Sequence, residues 1–179
     1  NVALRVNGGT ASTTTTSTVD GTWSFASVTA AAGATLTIYF YGASDTTAGT
    51  YTGNVVTITD GTTNITGVSL IDDHVVLRSD NGATAITIPD LWDYDNTQNA
   101  ANLLFDAVDA APDTLSVESG NELYLTATDG FTPGGNVTVS GSFSTTSGID
   151  IRGTWTATGT ETITCHSGWN NAGTFTAAQ

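Results

Sequence analysis

Asp90, Asp93, Asp95 and Asn96 place four oxygen-bearing side chains within a short stretch of sequence, the hard-donor chemistry that suits calcium. Asp106 or Asp109 could add to such a shell, but the spacing is not that of an EF-hand loop and its closing glutamate is missing. An acidic loop that binds no ion is the competing reading. His74 follows Asp72 and Asp73, an arrangement that could orient a base or a metal ligand, although aspartates ahead of a strand are also ordinary turn residues. His166 follows Cys165, and neighbours in a strand face opposite ways, so the two do not share a metal easily. Both histidines are read as structural, and Cys165 as a small buried hydrophobe in a strand. Glu118, Glu122 and Glu161 are the only glutamates, which leaves the paired carboxylates of a glycosidase to distant loops. No nucleophile elbow, phosphate-binding loop, zinc spacing or dinucleotide fingerprint is present. No catalytic residue is assigned, and the chain is expected not to be an enzyme.

Other residues suit sugars. Trp92 and Tyr94, flanking Asp93, could form an exposed stacking platform for a glycan, whereas Trp23, Trp155 and Trp169 sit in alternating patterns that belong in a core. Asn64-Ile65-Thr66 and Asn136-Val137-Thr138 match the N-glycosylation sequon, and Thr13, Thr14, Thr15 and Thr16 lie in a Ser/Thr tract that could carry O-glycans or stand bare in solvent.

These residues ride on a chain of unusual charge. Seventeen acidic residues against three basic ones, none of them Lys, give a formal charge of −14. Such a surface repels phosphate backbones and anionic lipids, so nucleic acid and membrane surfaces are poor partner candidates, and cations or carbohydrate fit better. No apolar run is long enough to span a bilayer as a helix. The single Cys rules out an intrachain disulfide, and the absence of Met and of a leader-like start is read as a segment of a longer exported precursor.

The elements that must position these groups are strands. Thr, Val, Gly and Asn dominate, and apolar residues recur with a two-residue period at Val2–Val6, Thr22–Val28, Thr35–Tyr41, Asn54–Thr59, Ile65–Ile71 and Val75–Arg78. Asp60-Gly61 and Asn81-Gly82 are turn dipeptides suited to hairpins. The expected fold is all-β: an immunoglobulin-like or jelly-roll-type β-sandwich, a β-rich repetitive C-terminal part, and one short helix near 98–108 that starts at Asp95 or Asn96. Residues 1–90 form the sandwich part, 91–114 an acidic connection with the helix, and 115–179 the β-repeat part, which could pack with the first as one domain. Gly141-Ser142-Phe143, Gly153-Thr154-Trp155 and Gly168-Trp169 set an aromatic soon after a glycine at a spacing of about a dozen residues, which fits hairpins or the rungs of a β-solenoid.

Val19-Asp20-Gly21-Thr22-Trp23-Ser24-Phe25, followed by Ala32-Gly33-Ala34-Thr35-Leu36-Thr37, resembles the bacterial immunoglobulin-like modules repeated in large surface proteins, over about a third of the chain. Phe131 to Thr138 and on through Gly173-Thr174-Phe175-Thr176 resembles the Gly-Thr-Phe/Trp-Thr repeats of very long adhesin-like and autotransporter-like proteins. Both resemblances imply a structural repeat of an exported surface protein, and neither carries catalytic residues. The expected function is a structural subunit or repeat of a bacterial extracellular filament or surface fibre. Copies would assemble head to tail, with Val2, Ala3, Leu4, Arg5 and Val6 as a strand that could be donated to the next copy. The alternative is an adhesin or carbohydrate-binding module with glycan partners. No cofactor beyond candidate calcium is expected.

Overall fold

A computed structural model describes residues 1–14, 20–42, 51–80, 84–95, 102–127, 129–140, 148–157, 161–165 and 168–177. The chain begins with β1 (Val2–Val6), β2 (Ser12–Thr14), β3 (Thr35–Phe40), β4 (Asn54–Ile58) and β5 (His74–Ser79). β1 pairs antiparallel with β2 on one edge and with β3 on the other, and β3 pairs antiparallel with β4. The direction then changes, because β4 and β5 run parallel. Val2 to Arg5 and all of β4 are buried, so both faces of this part of the sheet are covered. Asn7 makes the turn after β1 with φ 46° and accepts the Thr35 N–H on its side-chain oxygen at 2.8 Å.

From β5 onward the chain winds. It passes through α1 (Ile88–Asp95), β6 (Phe105–Val108) and β7 (Thr114–Val117), then β8 (Glu122–Leu125), β9 (Gly130–Phe131) and β10 (Asn136–Val139). Next come β11 (Gly148–Ile151), β12 (Thr154–Thr156) and β13 (Ile163–Cys165), and finally β14 (Gly168–Asn171) and β15 (Thr174–Thr176). Three sheets result: β14-β11-β8-β5-β4-β3-β1-β2, β13-β10-β7-β6 and β15-β12-β9. Every pairing from β5 to β14, from β7 to β13 and from β9 to β15 is parallel, and each turn of chain gives one strand to each sheet. This is a β-solenoid, which corrects the expected immunoglobulin-like or jelly-roll sandwich. A sandwich needs antiparallel neighbours joined by hairpins, whereas here equivalent residues of successive rungs lie in register.

That register explains the Gly-Thr-aromatic texture. Phe131, Trp155 and Phe175 occupy one position of successive rungs, with ring centroids 4.8 Å apart for Phe131–Trp155 and 6.2 Å for Trp155–Phe175. Trp155 is fully buried. Val75, Leu123, Ile149 and Trp169 form a second apolar column, and Leu115, Val137 and Ile163 a third. One core therefore reaches from Ala3 and Tyr39 to Trp155, and one sheet runs the length of the chain from β1 to β14.

The helix expected near 98–108 is displaced. Phe105–Val108 is strand β6, in which Phe105 and Ala107 are buried while Asp106 and Val108 face solvent, a two-residue period. The helix instead occupies Ile88–Asp95. Pro89 is tolerated in its first turn, where backbone N–H groups have no intrahelical partner. Ile88, Leu91 and Tyr94 recur at helical spacing on the buried face. Residues 96–101 lie outside the described residues. No helix among the described residues is long and apolar enough to cross a membrane.

Candidate functional site

The acidic corner expected to hold calcium is organised around the start of α1. Thr87 donates both its N–H (2.8 Å) and its hydroxyl (2.7 Å) to Asp90 Oδ2, so Asp90 serves as the reciprocal cap of the helix. Asp93 faces solvent, and partial burial followed by the nearby charges of Asp90 and Asp109 raises its carboxyl above the ordinary value. Asp106 is exposed on β6. The side chain of Asp95, and Asn96 altogether, lie outside the described residues. Among the described residues no three His, Cys, Asp or Glu side chains converge in the way a metal ion requires.

The glycan platform is not assembled either. Residues two apart on a helix diverge, so Trp92 packs half-buried against the core while Tyr94 turns fully inward, 1% exposed. The Tyr94 ring meets Tyr39 edge-on at 6.0 Å and lies 5.8 Å from the Arg5 guanidinium carbon. Desolvation pushes its phenol far above the usual value. Tyr94 is a core residue, which corrects its assignment as a sugar contact.

The strand expected to be donated, Val2 to Val6, already has both edges filled, by β2 and β3. Arg5 within it is 3% exposed, and its Nε donates to the Tyr39 hydroxyl at 3.1 Å. Donation of β1 would require breaking two ladders and unpacking a buried guanidinium, so the geometry does not present it as a free strand. Of the candidate glycosylation positions, Asn64 is exposed. Asn136 is half-buried, and its side-chain oxygen accepts the Thr162 N–H of the next rung at 2.8 Å. Thr13 and Thr14 lie in β2, Thr14 half-buried, and Thr15 and Thr16 lie outside the described residues. Cys165 is half-buried in β13, its thiol donating to the Gly168 carbonyl at 3.2 Å, and His166 lies outside the described residues.

The rung register assembles a polar column that spacing along the sequence does not disclose. On the outer face of the long sheet, His74 is level with Glu122, while Tyr124, Asp150 and Asn170 share one position of three successive rungs. His74 Nε2 lies 3.7 Å from Glu122 Oε2, and its Nδ1 lies 2.6 Å from the Asp72 carbonyl. A carbonyl only accepts, which places a proton on Nδ1. Arg152 Nε donates to both oxygens of Asp150 at 2.8 and 3.0 Å, and the Asn170 amide donates to the same carboxylate at 3.1 Å. Glu122 titrates above its ordinary value, chiefly through desolvation, with His74 opposing and Asp150 adding to the shift. The Asn170–Asp150 hydrogen bond and the His74–Glu122 contact each join neighbouring rungs, so the column helps to hold rungs together.

The most distinctive surface is the end of the solenoid. β13, β14 and β15 each stand at the end of their sheet's strand order, all on the same side. Trp169 is 45% exposed there, which corrects its expected place in the core, and it meets Phe175 edge-on at 5.5 Å. At the opposite end β6 pairs antiparallel with β7 and α1 packs against β6 and β3, while β2 and β9 stand at the ends of the other two sheets' orders. Comparison with family models, with curated proteins and with solved structures returns no match, so the functional reading rests on this geometry.

Proposed function

We propose that the chain is a structural module of a bacterial extracellular fibre, in which copies stack head to tail along the solenoid axis. The observation that supports the reading is the in-register parallel stack of rungs, β5-β8-β11-β14, β7-β10-β13 and β9-β12-β15, a pattern that a further rung from another copy extends without changing any pairing. Open strand edges recruit further strands through main-chain hydrogen bonds, and a solenoid gains core each time a rung is added. The net charge of −14 opposes any contact between copies, so association strengthens as salt screens the charge. An extracellular, surface-bound address with copies of itself as partners and no catalytic role belongs to the same reading.

The test is light scattering of size-separated protein over a concentration series in low and high salt. Axial oligomers that grow with concentration and salt, and are lost in Trp169→Glu while its circular dichroism and melting persist, are the expected result. A wild-type chain that stays monomeric at millimolar concentration would overturn the proposal.

A further inference from the structure

The outer face of the N-terminal sheet carries a second core: Val2 and Leu4 of β1, Leu36 and Ile38 of β3, Val55 of β4 and Val76 of β5. It is covered not by strands but by two stretches of chain that cross it. In the first, Trp23 and Phe25 turn inward while Thr22, Ser24 and Ala26 face solvent. In the second, Ile65, Val68 and Leu70 turn inward and the residues between them face out. Period-two burial at Trp23 and Phe25 and at Val68 and Leu70 is the mark of extended chain on an apolar surface, whereas Gly67, at φ 66°, turns the chain between Ile65 and Val68. Arg78, itself held by Asp80 at 2.6 Å, fixes the second stretch by donating to the Gly67 carbonyl at 2.8 Å and the Thr66 carbonyl at 3.1 Å.

Between these stretches lies a cleft of about 930 Å³ with Leu4, Leu36 and Ile38 as its floor. Among the described residues no backbone–backbone hydrogen bond joins residues 21–28 to residues 64–70, or ties either stretch to a strand of the sheet below. Two walls, extended at 22–26 and 68–70 and without ladder partners among the described residues, flank an apolar floor and have the form of a layer that lacks one strand. An entering strand of about six residues would run roughly 20 Å at ~3.3 Å rise.

We infer that this cleft is a strand-acceptor site, filled by an extended, uncharged segment of a second copy of the chain. The entering backbone hydrogen-bonds to both walls, and its alternate side chains seat on Leu4, Leu36 and Ile38. Charge selects the occupant. Asp20, itself exposed, is the one ionisable residue among those lining the cleft, so a charge carried onto the apolar floor would be desolvated. About a quarter of residues in an ordinary chain are charged, so six foreign residues would bring one or two charges on average. In this chain the fraction is 11%, and neutral stretches of that length are common. The site rests on the reading that copies associate, but it is a contact on the flank of the solenoid, distinct from its open end.

Backbone hydrogen exchange read by mass spectrometry at micromolar and millimolar protein, with Ser69→Trp as a rim-blocking variant, tests the site. Amides of residues 23–28 and 65–70 are expected to exchange freely in dilute protein and at least tenfold more slowly in concentrated protein, with the slowing lost in Ser69→Trp. Slowing confined to β13, β14 and β15 would overturn the site and leave axial stacking standing. Slowing of the cleft walls alone would support the site and count against stacking. Protection already complete in dilute monomer, or no concentration dependence anywhere, would overturn the site.

Discussion

Gly153 sits in the corner between β11 and β12, and its replacement by Ala probes the stacked rungs directly. A Cβ there would lie 2.2 Å from the Asp129 carbonyl oxygen and 2.5 Å from that of Thr126, both backbone atoms of the preceding rung. Neither can swing aside as a side chain would. The Asp129 carbonyl also accepts the Thr154 N–H at 2.8 Å, so displacing it strains a bond between rungs. Overpacking of this kind costs about 1–3 kcal/mol and a weakened buried hydrogen bond adds about 1 kcal/mol, for a total of about 2–4 kcal/mol. At roughly 2–4 °C per kcal/mol for a chain of this size, the melting temperature should fall by roughly 5–15 °C. Gly120→Ala is the control: its φ is 96° and nothing lies within 4 Å of the added Cβ, so only a backbone penalty of about 1–2 kcal/mol is expected. Thermal melts followed by circular dichroism compare the two. If Gly153→Ala melts within about 2 °C of the wild type, or above Gly120→Ala, the close approach of rungs at this corner is refuted.

Four further outcomes follow from single contacts. Asn54, fully buried, donates to the Asn102 carbonyl (2.8 Å) and accepts the Leu104 N–H (2.7 Å); Asn54→Ala removes both bonds and should cost about 2–5 kcal/mol in urea unfolding. Trp155→Ala should cost about 3–5 kcal/mol and increase the solvent exposure of Trp169, seen as a red-shifted fluorescence maximum. Hydrogen bonds from the backbone and then the side chain of Thr63, and from the backbone of Thr62, hold Asp60 down at about 2. Its contribution to stability is therefore present above the ordinary carboxylate range and lost as pH falls toward that value, and Asp60→Asn should flatten the acid limb of the stability curve. Glu122 is shifted the other way, mainly by desolvation, so its ionised form costs stability at neutral pH and the cost vanishes below the ordinary glutamate range. Glu122→Gln should accordingly melt higher than wild type at pH 7 and level with it at pH 3.

The all-β character was legible in the sequence because period-two alternation is written into Leu36, Ile38 and Phe40 and into Leu123 and Leu125 whatever the strands later pair with. The architecture was not, because a sandwich and a solenoid use the same alternation and differ in which strand lies beside which. The glycine–aromatic pairs at Gly153 and Gly168 belong to different corners of the rung, since Gly168-Trp169 belongs to the long sheet and the stacking partners of Trp155 are Phe131 and Phe175, and Gly141 lies outside the described residues. The helix was misplaced because Ala100 to Val108 has the better helix formers, whereas the Thr87–Asp90 cap decides the start of α1. Trp92 and Tyr94 read as one platform only if both faced outward, and a helix turns them apart. The polar column of His74, Glu122, Asp150 and Asn170 was invisible because its members are brought level by rungs of unequal length.

Electron cryomicroscopy of concentrated protein in high salt tests the structural role most directly. The account expects rods in which strands continue at ~4.8 Å spacing across each junction between copies, with β13, β14 and β15 facing the next unit. Discrete particles one chain in size at every concentration, or rods whose junctions leave Trp169 in solvent, would contradict it.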